Sequence, residues 1–219
     1  MLKLVANIAV WGLAMANAPD LFARLNRFQW YGGTLRNMIA NLNLPANAEL
    51  LEIGCGPGGL ARDLASAGYR VTGIDSSSSM VQRAEQNQPA SNAVQFLQAD
   101  ALNMPIQNEK YDVVIAASLL NVVKNKQKLI SEMMRVTKVN GIIMVVFPTP
   151  RFTKNNATNF ANSHNLPAFE AAAIKTWASL SNKLKEQDVV SMFKTAGLES
   201  VKIDTGLEGM LTSISGVRD

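Results

Sequence analysis

Short apolar runs alternate with stretches of helical periodicity from residue 45 onward. Five runs are predicted strands: AELLEIG, YRVTGID, AVQFLQAD, YDVVIAAS and GIIMVVFP. The stretches between them carry apolar residues three and four positions apart, which is typical of helices packed on one face. Nearly continuous apolar strands indicate a parallel sheet that is buried on both sides. Repeated strand–helix units therefore predict a doubly wound, Rossmann-like α/β sheet.

The same pattern divides the chain into four parts. Residues 1–44 are predicted to form an N-terminal helical cap, split at Gly32-Gly33 and ended by Pro45, and residues 45–150 a core with a long helix over 121–140. The periodicity weakens over 151–167, so residues 151–182 are predicted to be a loop-containing cap over the substrate. Residues 183–219 contain a helix and two strands that complete the core.

The N-terminal stretch allows three interpretations. Leu4, Ile8, Trp11 and Met15 fall at helical spacing, which predicts an amphipathic helix, although the small residues that follow imitate a signal peptide. The apolar run is too short and interrupted to span a membrane. The helix either covers the domain or touches a membrane surface; the missing Lys/Arg cluster favours the first.

Composition narrows the function classes. The 219 residues carry a net charge of +4 with scattered lysines and arginines, which argues against a nucleic-acid-binding arm but allows anionic ligands. The single cysteine, Cys55, cannot form an intrachain disulfide, so a cytoplasmic protein is expected. No Cys/His cluster suggests a metal site.

Glycines follow the first predicted strand directly, in LLEIGCGPGG. Gly54, Gly56 and Gly58 allow positive φ angles and a close approach of backbone N–H groups to a ligand, although an ordinary tight turn is the alternative. Asp75 ends the second strand, where a carboxylate accepts hydrogen bonds from a ribose diol or caps the next helix. The glycine spacing suits a dinucleotide or another nucleotide, whereas Glu52 would repel a pyrophosphate and suits a ligand with an ammonium group.

These residues resemble class I S-adenosylmethionine-dependent methyltransferases. LLEIGCGPGG is similar to the first motif of that family, GIDSSSSM to the second, QADALNMP to the third and YDVVIAASLLNVV to the fourth strand and its sequel. RVTKVNG resembles the segment before the fifth strand, with Val139 and Asn140 departing from the usual Pro-Gly. The resembling subgroup contains small-molecule, ubiquinone-biosynthesis-type (type 11) enzymes, and it implies a seven-stranded sheet with an antiparallel last strand.

The resemblance also implies a set of S-adenosylmethionine contacts. Glu52 would order the loop and the amino group of the ligand, Asp75 would bind the ribose, and Asp100 the adenine amine. The implied contacts are Glu52, Gly54, Cys55, Gly56, Gly58, Asp75, Ser76, Met80, Asp100, Ala101, Leu102, Ser118 and Leu119. Each has a structural alternative, such as helix packing for Met80 or turn capping for Asp100.

No catalytic base is evident. Many relatives carry a histidine pair after the fourth strand, where this chain has Leu120 and Asn121. His164, the only histidine, falls in the predicted loop, and it and Tyr31 are weak catalytic candidates. Trp30, Tyr31 and Trp177 either line an apolar pocket or belong to the core.

The predicted function is therefore methyl transfer from S-adenosylmethionine to a small molecule, mainly by proximity and orientation. No metal and no nucleic acid partner are expected, and the protein is expected to be a monomer or homodimer, with weak membrane contact possible through the N-terminal helix. The alternatives are a lipid or quinone acceptor at a membrane surface, a nicotinamide-dependent oxidoreductase, which Glu52 and the later motifs argue against, and a non-catalytic protein that binds the methyl donor.

Overall fold

A computed structural model describes Val10 and residues 17–87 and 94–219. Apart from Val10, which is buried, the helix predicted over Leu4–Met15 lies outside the described residues. Within the described ranges, no helix is long and apolar enough to cross a membrane.

Seven strands form one sheet in the order β3-β2-β1-β4-β5-β7-β6. The strands are β1 (Glu49–Ile53), β2 (Arg70–Asp75), β3 (Val94–Gln98), β4 (Tyr111–Ala117), β5 (Thr137–Pro148), β6 (Leu198–Gly206) and β7 (Leu211–Arg218). Six run parallel, and β7 runs antiparallel to β5 and β6, between which it lies. The predicted fold class is confirmed. The strand order reverses between β1 and β4, the position where sheets of this kind bind ligands.

Helices cover both faces of the sheet. They are α1 (Ala18–Arg27), α2 (Thr34–Ala40), α3 (Gly59–Ser66), α4 (Ser78–Gln86), α5 (Lys126–Val136), α6 (Lys154–Ser163), α7 (Ala168–Leu180) and α8 (Glu186–Thr195). Neighbours on β1 show the two-sided burial: Leu50 packs into one apolar cluster and Leu51 into the other, and both are fully buried. This explains why the strands are apolar at nearly every position.

Four predicted helix boundaries were wrong. The N-terminal helices break at Phe28, which is extended, and not at Gly32-Gly33. These two glycines belong to a π-helical turn, Gln29–Gly33, that leads into α2. The helix α2 ends at Ala40, before Pro45. The helix predicted over 121–140 is confined to α5, because Asn125 caps its start. At its other end, the β-branched Thr137 already begins β5 and pairs with Tyr111.

The segment predicted to be irregular after β5 also contains a helix. The side chain of Thr153 accepts a hydrogen bond from the Asn156 backbone N–H at 3.1 Å and caps the start of α6. Ala157, Phe160 and Ala161 follow at helical spacing and are buried. The asparagine-rich sequence obscured this pattern, because its polar residues lower the contrast between the two helix faces.

Candidate functional site

The glycine loop that follows β1 has the predicted backbone conformation. Gly54, Gly56 and Gly58 have φ values of 73°, 52° and 74°, which L-residues adopt only with strain. The N–H groups of Gly54 and Cys55 donate to the carbonyl oxygen of Ile74 at 2.8 and 2.9 Å. The loop is thereby fixed to the end of β2.

Asp75 connects this loop to α4. Its Oδ2 accepts a hydrogen bond from the Gly56 N–H at 2.9 Å, and its Oδ1 accepts one from the Ser77 N–H at 2.9 Å. The cap of α4 is Ser77, whose side chain accepts from the Met80 N–H. Capping by Asp75 itself is therefore not observed. A carboxylate has about four lone-pair sites, so Asp75 keeps acceptor capacity for a ligand.

A cleft of about 320 Å³ lies at the carboxyl ends of the central strands. Its walls are formed by Ile53, Gly54, Ile74, Asp75, Ser76, Ala99, Asp100, Ala101, Leu102, Leu119, Val123 and Lys124. The structure thus brings together seven of the sequence-predicted site residues from four separate segments of chain. Asp100 uses Oδ1 to accept from the Leu102 N–H at 2.9 Å, and its side chain is exposed at the cleft.

Sequence analysis missed five of the wall residues. Three of them are buried at the ends of β1 and β2 and just after β3: Ile53, Ile74 and Ala99. Because they are apolar, the sequence does not distinguish them from ordinary core residues. Val123 and Lys124 follow β4. Only their place after a central strand could have pointed to them.

The other six predicted residues do not line the cleft. Cys55, Gly56 and Gly58 belong to the loop, and Met80 lies half-buried in the first turn of α4. Burial raises the pKa of Cys55 far above its usual range, so its thiol is neutral. The remaining two, Glu52 and Ser118, are buried polar residues.

Glu52 is a buried acidic residue next to the last position of β1, only 5% exposed. Burial raises its pKa to about 8, although a hydrogen bond from the Ala61 N–H and the charge of Arg62 oppose the shift. Its Oε2 has no hydrogen-bond partner among the described residues. A buried acceptor without a partner costs about 1–3 kcal/mol, which makes it a marker of ligand contact.

Ser118 occupies a strained position directly after β4. Its φ is 55°, and its N–H donates to the Val146 carbonyl oxygen at 2.7 Å. The hydroxyl oxygen is buried and makes no hydrogen bond of normal geometry, and the Oδ1 of Asn121, three residues on, is likewise unpaired in the described structure. Strained non-glycine residues with unused polar atoms are typical of functional sites.

Tyr31 lies close to Ser118 and Glu52. Burial raises its pKa, the nearby Ser118 hydroxyl lowers it, and the Glu52 carboxylate raises it. Its ring contacts Trp177 edge-to-face with centroids 5.1 Å apart, and Trp177 packs against Phe152 at 4.7 Å. The candidate aromatic residues therefore meet at one place, beside Glu52 and Ser118.

His164 lies apart from these groups. It is the exposed residue directly after α6, its ring stacks on Phe160, and its Nδ1 lies 3.0 Å from the Phe160 carbonyl oxygen. It does not line the cleft. Over the described ranges, no group of three or more His, Cys, Asp or Glu residues could hold a metal ion.

Comparison with known families gives one match, over residues 51–145, to the family described as "Methyltransferase domain". A sterol 4-C-methyltransferase from Caenorhabditis elegans is 29% identical over 130 residues, which cover 57% of this chain and 39% of that protein. A ubiquinone biosynthesis O-methyltransferase from Rickettsia canadensis is 25% identical over 75% of this chain and 68% of its own length. The chain thus spans well under half of the first of these relatives.

Solved structures share the fold. A SAM dependent methyltransferase from Aquifex aeolicus superposes with a TM-score of 0.63 at 16% identity, over 84% of this chain and 89% of that one. The [4+2]-cyclase SpnF superposes with a TM-score of 0.68 at 17% identity, over 88% and 84% of the two chains. At such identities the likeness concerns the fold, and the second structure carries a different chemistry on it.

Proposed function

We propose that this chain, which carries a methyltransferase domain over residues 51–145 and resembles small-molecule, S-adenosylmethionine-dependent methyltransferases, transfers the methyl group of S-adenosylmethionine to a small molecule. The observation that carries the proposal is the cleft where the strand order reverses. It joins Gly54, Asp75 and Asp100, three positions at which the sequence resembles the family's motifs.

The polar groups around the cleft fit this methyl donor. The free lone pairs of Asp75 suit a ribose diol, and the unused Oδ2 of Asp100 suits an adenine amine. Ile74, Ala99 and Leu102 offer an apolar surface for a base. The buried, unpaired Oε2 of Glu52 suits an ammonium group, because a cation beside it would favour loss of the proton that the raised pKa of about 8 retains; an anionic pyrophosphate would gain nothing from it.

The proposed chemistry requires little from the protein. S-adenosylmethionine supplies an activated methyl group on a sulfonium. The side chains of this protein would hold the donor and the acceptor in line and exclude water, which alone lowers a barrier by several kcal/mol. No step here depends on His164, which lies exposed at the end of α6.

For the acceptor we propose a place beside Tyr31, Ser118 and Asn121. The Ser118 hydroxyl and the Asn121 Oδ1 are buried and unpaired in the described structure, and the Tyr31 ring contacts Trp177, which packs against Phe152. An acceptor with a flat apolar part and one polar group would therefore fit. We further propose that residues 1–44 and 151–182 serve as caps on a core formed by 45–150 and 183–219, because Tyr31 and Trp177 come from these two segments.

The aromatic wall also favours a more specific candidate, a quinone- or sterol-like acceptor. Clustered aromatic side chains bury ring systems well, whereas a small hydrophilic acceptor would gain little from them. A protein that binds the donor without transferring its methyl group is the other candidate.

Calorimetry and a methylation assay separate these functions. We expect S-adenosylmethionine and S-adenosylhomocysteine to bind, and NAD not to bind. Incubation with radiolabelled donor and a panel of phenols, quinols, amines and thiols should then transfer label to one class. Tight NAD binding without a response to the donor contradicts the proposal. The non-catalytic candidate is supported instead if the donor binds but no label is transferred, neither to an acceptor of the panel nor to a co-purified compound.

A further inference from the structure

A second cavity, of about 400 Å³, is lined by residues of α1, α2, α3 and α4. It is lined by Ala23, Asn26, Arg27, Arg36, Gly59, Arg62, Asp63, Arg83 and Asn87, none of which lines the cleft described above. Four of the nine wall residues are arginines and two are asparagines. We propose that this basic cavity binds the phosphate group of a phosphate monoester or diphosphate.

The charge balance of the cavity supports a ligand with two negative charges. Arg36 pairs with Asp63 at 2.6 Å, and Arg83 pairs with Asp20 at 2.6 Å. Arg27 and Arg62 have no ion-pair partner in the described part of the chain. Four arginines against the two paired aspartates leave an excess of two positive charges, which Asp63 and Glu52 offset in part near Arg62. This excess suits the charge of about −1.5 to −2 that a phosphate monoester carries near neutral pH.

The guanidinium groups are crowded in a way that a bound anion would relieve. Burial lowers the pKa of Arg62, the charges of Asp63 and Glu52 raise it, and the neighbouring charge of Arg27 lowers it. The Nε of Arg83 is buried and has no hydrogen-bond partner among the described residues. Arginine presents a planar fork of N–H donors that matches phosphate oxygens, so these two features favour phosphate over a single carboxylate.

Local backbone geometry adds to the positive potential. Gly59 begins α3 and lines the cavity, and the N-cap residue Gly58 supplies no side-chain hydrogen bond; Glu52 accepts from the Ala61 N–H in the same turn. The start of a helix carries a partial positive charge that stabilises anions. The Nη1 of Arg62 donates to the Pro57 carbonyl oxygen at 2.9 Å, which holds one side of the cavity to the glycine loop.

The cavity and the cleft lie on either side of one short loop. Gly54 lines the cleft and Gly59 lines the cavity, and the four residues between them include the left-handed Gly56 and Gly58. The proposed phosphate site is separate from the proposed donor site, so either ligand would bind in the absence of the other. The proposal does not depend on the methyl acceptor.

Calorimetry with inorganic phosphate and diphosphate, at fixed ionic strength, tests the site. Arg27→Gln is expected to raise the dissociation constant about tenfold, since a charge-assisted contact is worth roughly 1.5 kcal/mol or more. Arg24→Gln is the matched control, because Arg24 is exposed on the same helix and does not line the cavity. Arg27→Lys keeps the charge without the forked donors and should show an intermediate loss.

Vesicle flotation distinguishes the two sources of such a phosphate. Phosphatidylcholine vesicles with and without phosphatidic acid present the same monoester on a membrane. Arg27-dependent binding of soluble diphosphate alone assigns the site to a soluble phosphorylated compound, and Arg27-dependent flotation assigns it to a lipid headgroup. No binding in either assay, or an equal loss in the Arg27 and Arg24 variants, overturns the proposal. S-adenosylmethionine affinity, measured on the same variants, should stay unchanged. If the phosphate site is absent, the proposed methyl transfer is therefore unaffected.

Discussion

The carboxylate of Asp75 accepts a hydrogen bond from the backbone N–H of Gly56 at 2.9 Å, so a single side chain ties the end of β2 to the glycine loop. Its second oxygen holds the Ser77 N–H at the start of α4. Any ligand that contacts Asp75 therefore meets a carboxylate whose position is fixed from two sides. Such preorganisation lowers the entropic cost of binding.

The first prediction concerns this residue. Asp75→Ala should weaken S-adenosylmethionine binding by roughly 1.5–3 kcal/mol, because it removes one charge-assisted partner of the ligand and the hydrogen bond that holds Gly56. Calorimetry measures the loss, and circular dichroism verifies the fold. Asp188→Ala, an exposed aspartate on α8, is the control and should bind normally. An Asp75→Ala variant with unchanged affinity would contradict the assignment of the cleft.

Glu52 should make stability and ligand binding depend on pH. Its folded pKa, about 8, lies above the ordinary value of 4.5, so the folded protein keeps a proton that the unfolded chain has lost. This stabilisation is complete below about pH 4.5 and is lost as the pH rises through about 8. Inside that window, the unfolding free energy of the wild type relative to Glu52→Gln should fall by about 1.4 kcal/mol per pH unit.

The same carboxylate should release a proton when a cation binds next to it. We expect S-adenosylmethionine binding near pH 7 to release close to one proton in the wild type and none in Glu52→Gln. Calorimetry in buffers of different ionisation enthalpy measures this number. Equal proton release by the two proteins would show that the ammonium group does not contact Glu52.

Ser118 offers a matched pair of variants. Ser118→Ala and Ser118→Gly both remove the unpaired hydroxyl, but only alanine keeps a Cβ at the left-handed φ of 55°. The glycine variant should therefore be the more stable by about 1 kcal/mol in chemical denaturation. Both should lower kcat/KM for the acceptor and leave donor affinity intact. Full activity in both variants would show that the acceptor does not contact Ser118.

His164→Ala should change turnover only modestly. The imidazole is exposed and stacks on Phe160, outside the cleft. A general base usually contributes about 100- to 10,000-fold, so the size of the loss separates the two roles. A decrease of that size, together with the disappearance of the histidine limb of the pH–rate profile, would identify His164 as the base.

Two glycines of the loop should differ in their tolerance of alanine. Gly56→Ala meets no atom within 4 Å and should cost only the backbone strain, about 1–2 kcal/mol. A Cβ at Gly58 would lie 2.4 Å from the Phe96 ring, so Gly58→Ala should destabilise the protein considerably more. Thermal unfolding of the two variants checks the difference. Equal melting temperatures would show that the Phe96 ring can move away without cost.

The strands and the glycine loop were predictable because their signals are local. An apolar run such as GIIMVVFP has few alternatives once it is buried on both faces, and positive φ angles select glycine directly. The start of β5 was not predictable from the helical periodicity before it. Thr137 belongs to β5 because Tyr111 of β4 lies opposite, which is a contact between residues distant in the chain.

Only part of the candidate site was predictable from the sequence. Asp75 and Asp100 stand in segments with recognisable patterns, whereas Lys124 lines the cleft only because of how the turn after β4 is directed. The proximity of Tyr31 to Ser118 and Glu52 joins residues from three separate elements. Periodicity along a chain does not contain such distances, so these groupings required the folded structure.

The position of β7 between β5 and β6 has a consequence for synthesis on the ribosome. β6 precedes β7 in the chain, yet β7 is its sole strand partner in the described sheet. The residues of β6 therefore leave the exit tunnel before the strand that must hold them exists. Until β7 follows, β5 and β6 both present unpaired backbone edges, and these edges are the part of the nascent chain most exposed to wrong pairing with other chains.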